Sequence, residues 1–230
     1  MKVALALRGH IRDGLIDARL RQFVEKLIST RHVRALDIYC HTWKEHEAKS
    51  SYRKLDHGVI VKVTPDLIKH YFGESIRDKI KSIEIADDSK LELKGNLEGK
   101  VAKSLLPIVA WKRMWAGKRK LIDTIAESGV QYDKVINTRY DLFTHHLCLT
   151  SEPLLMRIFN SPRTLNFKYP IYTRNPVGLD NFYVGQLQQM QKLIHSFDDS
   201  LDEIVKIYPN IDVQEKLVYE YAKDNRLILR

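Results

Sequence analysis

Cysteine is almost missing from this chain: Cys40 and Cys148 are the only two among 230 residues. That is too few for a disulfide framework or a zinc cluster, and both read as reduced, buried thiols. Seven prolines and ten glycines are spread without a Pro/Gly/Ser-rich stretch, so no linker or low-complexity tract divides the chain. No apolar run reaches the roughly 20 residues a membrane helix needs. The opening Met1–Leu7 stretch is too short for a secretory signal and is interrupted by Arg8 and Gly9, so it reads as a strand. There is no P-loop, GxGxxG, HExxH or CxxC, and no Ser/His/Asp or Cys/His nucleophile arrangement.

What is present is an ordinary globular balance, 44% hydrophobic and 29% charged. We read one domain over residues 1–230, expected to be cytoplasmic. The net charge of +9 and a pI near 9.4 favour an anionic partner: nucleotide phosphates, nucleic acid or an acidic surface. The basic excess is dispersed except at Lys112-Arg113 and Lys118-Arg119-Lys120.

Strand and helix signals alternate. Lys2–Leu7 is a β-compatible apolar run, and Leu15, Leu20, Phe23, Val24, Leu27 and Ile28 fall at helical spacing. Ala35–Cys40 predicts a second strand and Gly58–Val63 a third, stopped by Thr64-Pro65. This β-α-β opening predicts a parallel sheet. The charged stretch 75–99 has no clean period and reads as helix followed by a mobile loop. A long helix is expected over Ser104–Ser128, with Pro107 in its first turn and Trp111, Met114 or Trp115, Leu121, Ile122 and Ile125 as its apolar stripe. Strands follow at Val135-Ile136 and Thr164–Lys168, helices at Gly185–Phe197, Ser200–Tyr208 and Asp212–Lys223, and a last strand at Arg226–Leu229.

Four constellations could carry chemistry. Arg8-Gly9-His10-Ile11-Arg12 lies where the first strand meets the first helix, the place where α/β folds cradle a diphosphate. Gly9 would let backbone approach phosphate, and Arg8 and Arg12 would bond its oxygens, or the arginines are simply solvated. His41-Thr42-Trp43 ends the second strand on the same sheet edge, where Trp43 either stacks a base or packs in the core. Arg139-Tyr140-Asp141 closes the Val135-Ile136 strand. There Asp141 could hold a divalent cation on phosphate oxygens with Arg139 standing in for a second acid, or the two pair locally. In Gly178–Gly185 a carboxylate precedes an aromatic-apolar run; Asp180 is either a base for an acceptor hydroxyl or the start of an element. His145-His146, Asp87-Asp88 and Glu215 are lesser candidates.

In order and spacing these pieces resemble small GT-A-type glycosyltransferases of large algal (chlorella) DNA viruses and bacterial polysaccharide clusters. Lys2–Arg12 is similar to the family's opening strand with G-x-x-R, and Leu36–Trp43 to its second strand ending in H-T-W. Tyr132–Asp141 resembles its Y-D-x-V-I-R-x-R-x-D segment, the counterpart of the DxD motif, and Asp180–Gly185 its D-x-F-x-x-G. One departure is that Arg139 stands where the standard motif has its first acid.

The resemblance implies a GT-A-like (Rossmann-like) three-layer α/β/α sandwich with a central, mostly parallel sheet. It implies a UDP- or GDP-linked sugar donor, Mn²⁺ or Mg²⁺, a glycan or glycoprotein acceptor, no nucleic-acid partner, and the host cytoplasm if the source is viral. Arg8, Gly9, His10, Arg12, Thr42, Trp43 and Arg139 would bind the donor and Asp141 the metal, with Asp180 as base. Replacing Asp141 with alanine is then expected to abolish transfer and spare the fold. The alternatives are a sugar nucleotidyltransferase, although the chain lacks its Gly-rich, Lys-bearing first loop, and a basic nucleic-acid-binding module. The latter would use Trp111, Lys112, Arg113, Trp115, Lys118 and Arg119.

Overall fold

The computed structural model describes residues 1–45, 62–144, 151–161, 171–172 and 181–227. In chain order the strands are β1 (Lys2–Arg8), β2 (Ala35–Trp43), β3 (Ile80–Ala86), β4 (Lys134–Arg139), β5 (Ile171–Tyr172) and β6 (Phe182–Gly185). The helices are α1 (Arg19–Ser29), α2 (Pro65–Phe72), α3 (Glu74–Arg77), α4 (Ile108–Glu127), α5 (Glu152–Phe159), α6 (Leu187–Ile207) and α7 (Gln214–Asp224). Short 3₁₀ turns lie at Arg12–Leu15 and Asp88–Lys90.

The sheet has six strands in the order β3-β2-β1-β4-β6-β5. The strands β1 to β4 are mutually parallel, whereas β6 runs antiparallel to both β4 and β5. The result is a Rossmann-like three-layer α/β/α sandwich, and its layers follow from the alternation of β1. Val3, Leu5 and Leu7 point to one face, where they pack with Leu20, Phe23, Val24 and Leu27 of α1. Those four recur at helical spacing and are buried, each worth about 1.5–3 kcal/mol. Ala4 and Ala6 point to the other face. Their small side chains leave room for Trp111 and Trp115 of α4, which wedge against Phe197 of α6; the Trp115 and Phe197 rings stack at 4.4 Å.

Several expectations need correcting. The third sheet strand is Ile80–Ala86, inside the stretch read as helix and loop, where the helical segments are α3 and the 3₁₀ turn at Asp88–Lys90. Ile83-Glu84-Ile85 does alternate, but β3 is an edge strand, and its charged outer positions hide the period. Of the third strand expected at 58–63, residues 58–61 fall outside the described residues, and Lys62 makes only an isolated bridge with Glu45. Thr64-Pro65 starts a helix: Thr64 accepts a hydrogen bond from the Leu67 amide at 3.2 Å, and Pro65 occupies the first turn of α2.

Helix α4 begins at Ile108, not Ser104, with Pro107 extended as its cap residue. Gly185 closes β6 instead of opening a helix. The two helices expected around it are one element, α6, kinked at Ser200 (φ −131°, ψ 22°), so the break was placed correctly. Of the last strand expected at Arg226–Leu229, Arg226 lies in a turn at φ +57° and Leu227 in a bend, and residues 228–229 fall outside the described residues. Thr164–Lys168 falls outside the described residues.

One contact fixes the geometry beyond β1. Gly14, in the 3₁₀ turn, lies so close to the end of β4 that a Cβ would come within 2.4 Å of the Tyr140 carbonyl oxygen and 2.9 Å of the Asp141 amide nitrogen. Backbone on both sides leaves nothing to yield. Gly14→Ala is expected to cost roughly 1–3 kcal/mol, a fall of several degrees in a thermal melt. An unchanged melting temperature would show that the turn is free to move.

Candidate functional site

In a doubly wound sheet the ligand crevice opens where consecutive connections leave to opposite sides, outside the carboxyl ends of the strands. From β1 the chain winds through α1 to β2 and on to β3, then returns through α4 on the opposite face to β4, the other neighbour of β1. The switch point is therefore the β1–β4 boundary, and Arg8 and Arg139 face each other across it in register.

The row extends sideways: Arg8 is in register with His41 of β2, and His41 with Glu84 of β3. Neighbouring strands carry register partners on one face, so Glu84, His41, Arg8 and Arg139 line a single edge on the α4 side.

Arg139 and Asp141 meet through two bonds, Nε to Oδ1 at 2.7 Å and Nη2 to Oδ2 at 2.6 Å. Arg12 Nη1 adds a third, to Oδ2 at 2.8 Å. The chain reaches this position through Gly9 at φ +88° and Arg12 at φ +45°, a left-handed conformation uncommon outside glycine and typical of functional sites. The carboxylate side chain is 4% exposed beneath arginine side chains exposed by 16% (Arg12) and 14% (Arg139), so the guanidinium groups form the accessible surface. Burial alone would raise the Asp141 pKa, but Arg139 and Arg12 hold it well below the usual carboxylate range. Arg139 Nη1 also reaches Asn181 Oδ1 at 3.4 Å. Arg8 is buried, its Nε donating to Asn137 Oδ1 at 2.6 Å.

This edge also gathers unsatisfied groups. Arg12 Nε, Asn137 Nδ2 and His41 Nδ1 are buried without a hydrogen-bond partner. Arg12 Nε and Asn137 Nδ2 can only donate.

Mn²⁺ or Mg²⁺ would need carboxylate oxygens in a negative surround. At Asp141 both oxygens already accept from guanidinium groups, and the trio carries net positive charge. Among the described residues no three His, Cys, Asp or Glu side chains gather to hold a metal. Asp141 therefore fits as an anchor for arginines and does not fit as a cation ligand.

The remaining sequence candidates separate. His41 and Trp43 point to the α4 face, their rings 5.1 Å apart and edge to face, and His10 lies 6.0 Å from Trp43 with Nδ1 at 3.2 Å from the Glu45 carbonyl oxygen. Thr42 alternates to the opposite face and is fully buried. Asp180, His145, His146 and Cys148 lie outside the described residues, although Asn181 is described and touches Arg139. Asp87 caps the following 3₁₀ turn by accepting from the Ser89 amide. Glu215 sits in the first turn of α7. Trp111 and Trp115 are fully buried, Lys118 lies over the Trp115 ring, Lys112 pairs with Asp202, and Arg119 pairs with Asp198 and Asp199. The stripe named for nucleic acid thus builds the core and its rim instead of an exposed stacking platform.

No protein-family model matches the chain, and no curated protein is significantly similar to it in sequence.

Burial pushes the pKa values of both His10 and His41 down to about 4. The unfolded chain takes up these protons near 6.5, so between pH 6.5 and 4 it binds more protons than the folded state, and stability falls as pH falls. For the fully buried His41 the loss is on the order of 3 kcal/mol. A melting temperature dropping across that window, with a shallower drop in His41→Gln, is the expected result; a flat profile would contradict it.

Proposed function

We propose that the protein is a glycosyltransferase that takes a sugar from a nucleoside-diphosphate donor and passes it to a glycan or glycoprotein acceptor. The observation that carries this reading is the arginine cluster at the switch point: Arg8 and Arg139 in register, with Arg12 and Arg139 locked on buried Asp141. A sugar leaves a diphosphate readily only if the negative charge developing on the diphosphate is offset, and preorganised guanidinium groups do this without reorganising during the step. In the reaction the acceptor oxygen bonds to the anomeric carbon while the bond from that carbon to the β-phosphate oxygen breaks. The electron pair goes to the diphosphate, beside Arg12 and Arg139. If configuration inverts, a base takes the acceptor proton. Asp180, next in sequence to the Arg139 contact Asn181, is our candidate.

Among the described residues no helix is long and apolar enough to cross a membrane.

The test is a thermal-shift panel. UDP or GDP at about 100-fold over Kd should stabilise the protein by roughly 2.7 kcal/mol, a rise of several degrees. The rise should be the same in EDTA as with Mn²⁺. No shift with any nucleoside diphosphate, together with salt-sensitive RNA binding, would overturn the proposal in favour of a nucleic-acid-binding module.

A further inference from the structure

His10 lies just past the end of β1, in the short segment that joins Arg8 to Arg12. Gly9 at φ +88° turns the chain there, and the imidazole comes to rest against the end of β2. Its ring centroid is 6.0 Å from that of Trp43, with the planes tilted by 34°, and Nδ1 is 3.2 Å from the Glu45 carbonyl oxygen.

That bond settles the tautomer. A carbonyl oxygen only accepts, so Nδ1 carries the hydrogen and the neutral ring presents Nε2 as a bare lone pair. Nε2 bonds to no described residue and is open to water.

The groups acting on the ring come from three places. Burial is the largest cause holding the His10 pKa down to about 4, opposed by the Glu45 carbonyl after β2. Arg12 in the turn and Arg139 on β4 push the same way as burial, and Asp141 after β4 pushes back. Without a ligand His10 is therefore neutral at pH 7. It is an acceptor standing beside a cluster that suits an anion.

A bound diphosphate changes that field. Seated on Arg12 and Arg139, it offsets their charge and brings one negative charge on each phosphate. A bare Nε2 would set lone pair against lone pair at a phosphate oxygen, whereas a protonated Nε2 would donate a charge-assisted hydrogen bond. An anion that prefers the protonated ring must raise the pKa of that ring by linkage.

We propose that diphosphate binding draws one proton from solvent onto His10 Nε2, making the imidazolium the third cation of the site after Arg12 and Arg139. The proposal rests on the diphosphate reading of the β1–β4 crevice. The proton comes from water or buffer and forms the Nε2–H bond; no other bond changes. When the sugar leaves, the diphosphate gains a further negative charge, so the imidazolium holds the product more strongly than the donor. Binding tightens as pH falls through the His10 pKa of the complex and levels off below that of the free protein, about 4.

The test is calorimetric titration of the full chain, in EDTA, with the β-methyl esters of UDP and GDP. Esterified as in a donor, neither phosphate titrates near neutral pH, so proton exchange reports on the protein. Titrations in buffers of different ionisation enthalpy count the protons. At least about half a proton should be taken up per diphosphate at pH 6.0 and almost none at pH 8.0, with Kd rising roughly two- to tenfold between them. His10→Gln should bind without uptake and with a flat pH profile, a loss that a purely structural role would not produce. Imidazole ¹⁵N spectra of the parent at pH 6.0 give a second readout. On adding ligand, the His10 Nε2 signal should change from that of a bare ring nitrogen to that of a protonated one.

Binding without proton uptake, uptake that survives in His10→Gln, or an unchanged Nε2 signal overturns the proposal and leaves the diphosphate site standing. If neither ester binds, both fall.

Discussion

Asp141→Ala is expected to lower the melting temperature by roughly 10 °C, from a loss of about 3–5 kcal/mol. The carboxylate is buried and accepts from Arg12 and Arg139 through three bonds. Removing it leaves two guanidinium groups facing each other in a largely desolvated pocket with no counter-charge. This reverses the expectation drawn from sequence alone, in which Asp141 holds a cation and its loss spares the fold. A carboxylate kept for a metal costs stability while it waits, so its removal would leave the melt unchanged or raise it. Thermal denaturation in EDTA distinguishes the two, and Asp141→Asn, which keeps shape and some hydrogen bonding, should fall between alanine and the parent.

The second large effect belongs to the arginines. Arg139→Ala should reduce nucleotide-sugar turnover by about 10²–10³-fold, the usual consequence of deleting one preorganised donor to a developing anion. Its melting temperature should fall less than that of Asp141→Ala, because Arg12 still neutralises the carboxylate. Arg139→Lys should recover little, since a point charge cannot keep both bonds to the two carboxylate oxygens and still face the ligand. Donor hydrolysis gives a readout that needs no acceptor. Turnover within threefold of the parent would remove Arg139 from the site.

Much of the fold was legible because its central strands are apolar on both faces. Lys2–Arg8, Ala35–Trp43 and Lys134–Arg139 are buried almost throughout and carry strong runs in the sequence. Helix α1 shows its stripe equally clearly. Half-buried β3 at the sheet edge does not, and that single omission concealed Glu84. Once Ile83-Glu84-Ile85 is recognised as alternating, Glu84 stands out as a carboxylate in register with His41.

The Arg139–Asp141 pair was visible because its members are two residues apart. Arg12–Asp141 and Arg8–Asn137 each join residues 129 apart in sequence, and only the parallel register of β1 and β4 brings them together. The second arginine at Asp141 was hidden for the same reason: the sequence shows Arg139 beside the carboxylate, whereas the fold also brings Arg12 to it.

The role of the switch-point arginines is tested most directly by ³¹P NMR of GDP and UDP titrated with protein in EDTA. Both phosphorus resonances should shift and broaden with the parent protein, and remain unmoved with the Arg12→Ala/Arg139→Ala pair. Phosphorus signals that stay sharp at millimolar protein, or that respond only after Mn²⁺ is added, would contradict a diphosphate site built from arginine.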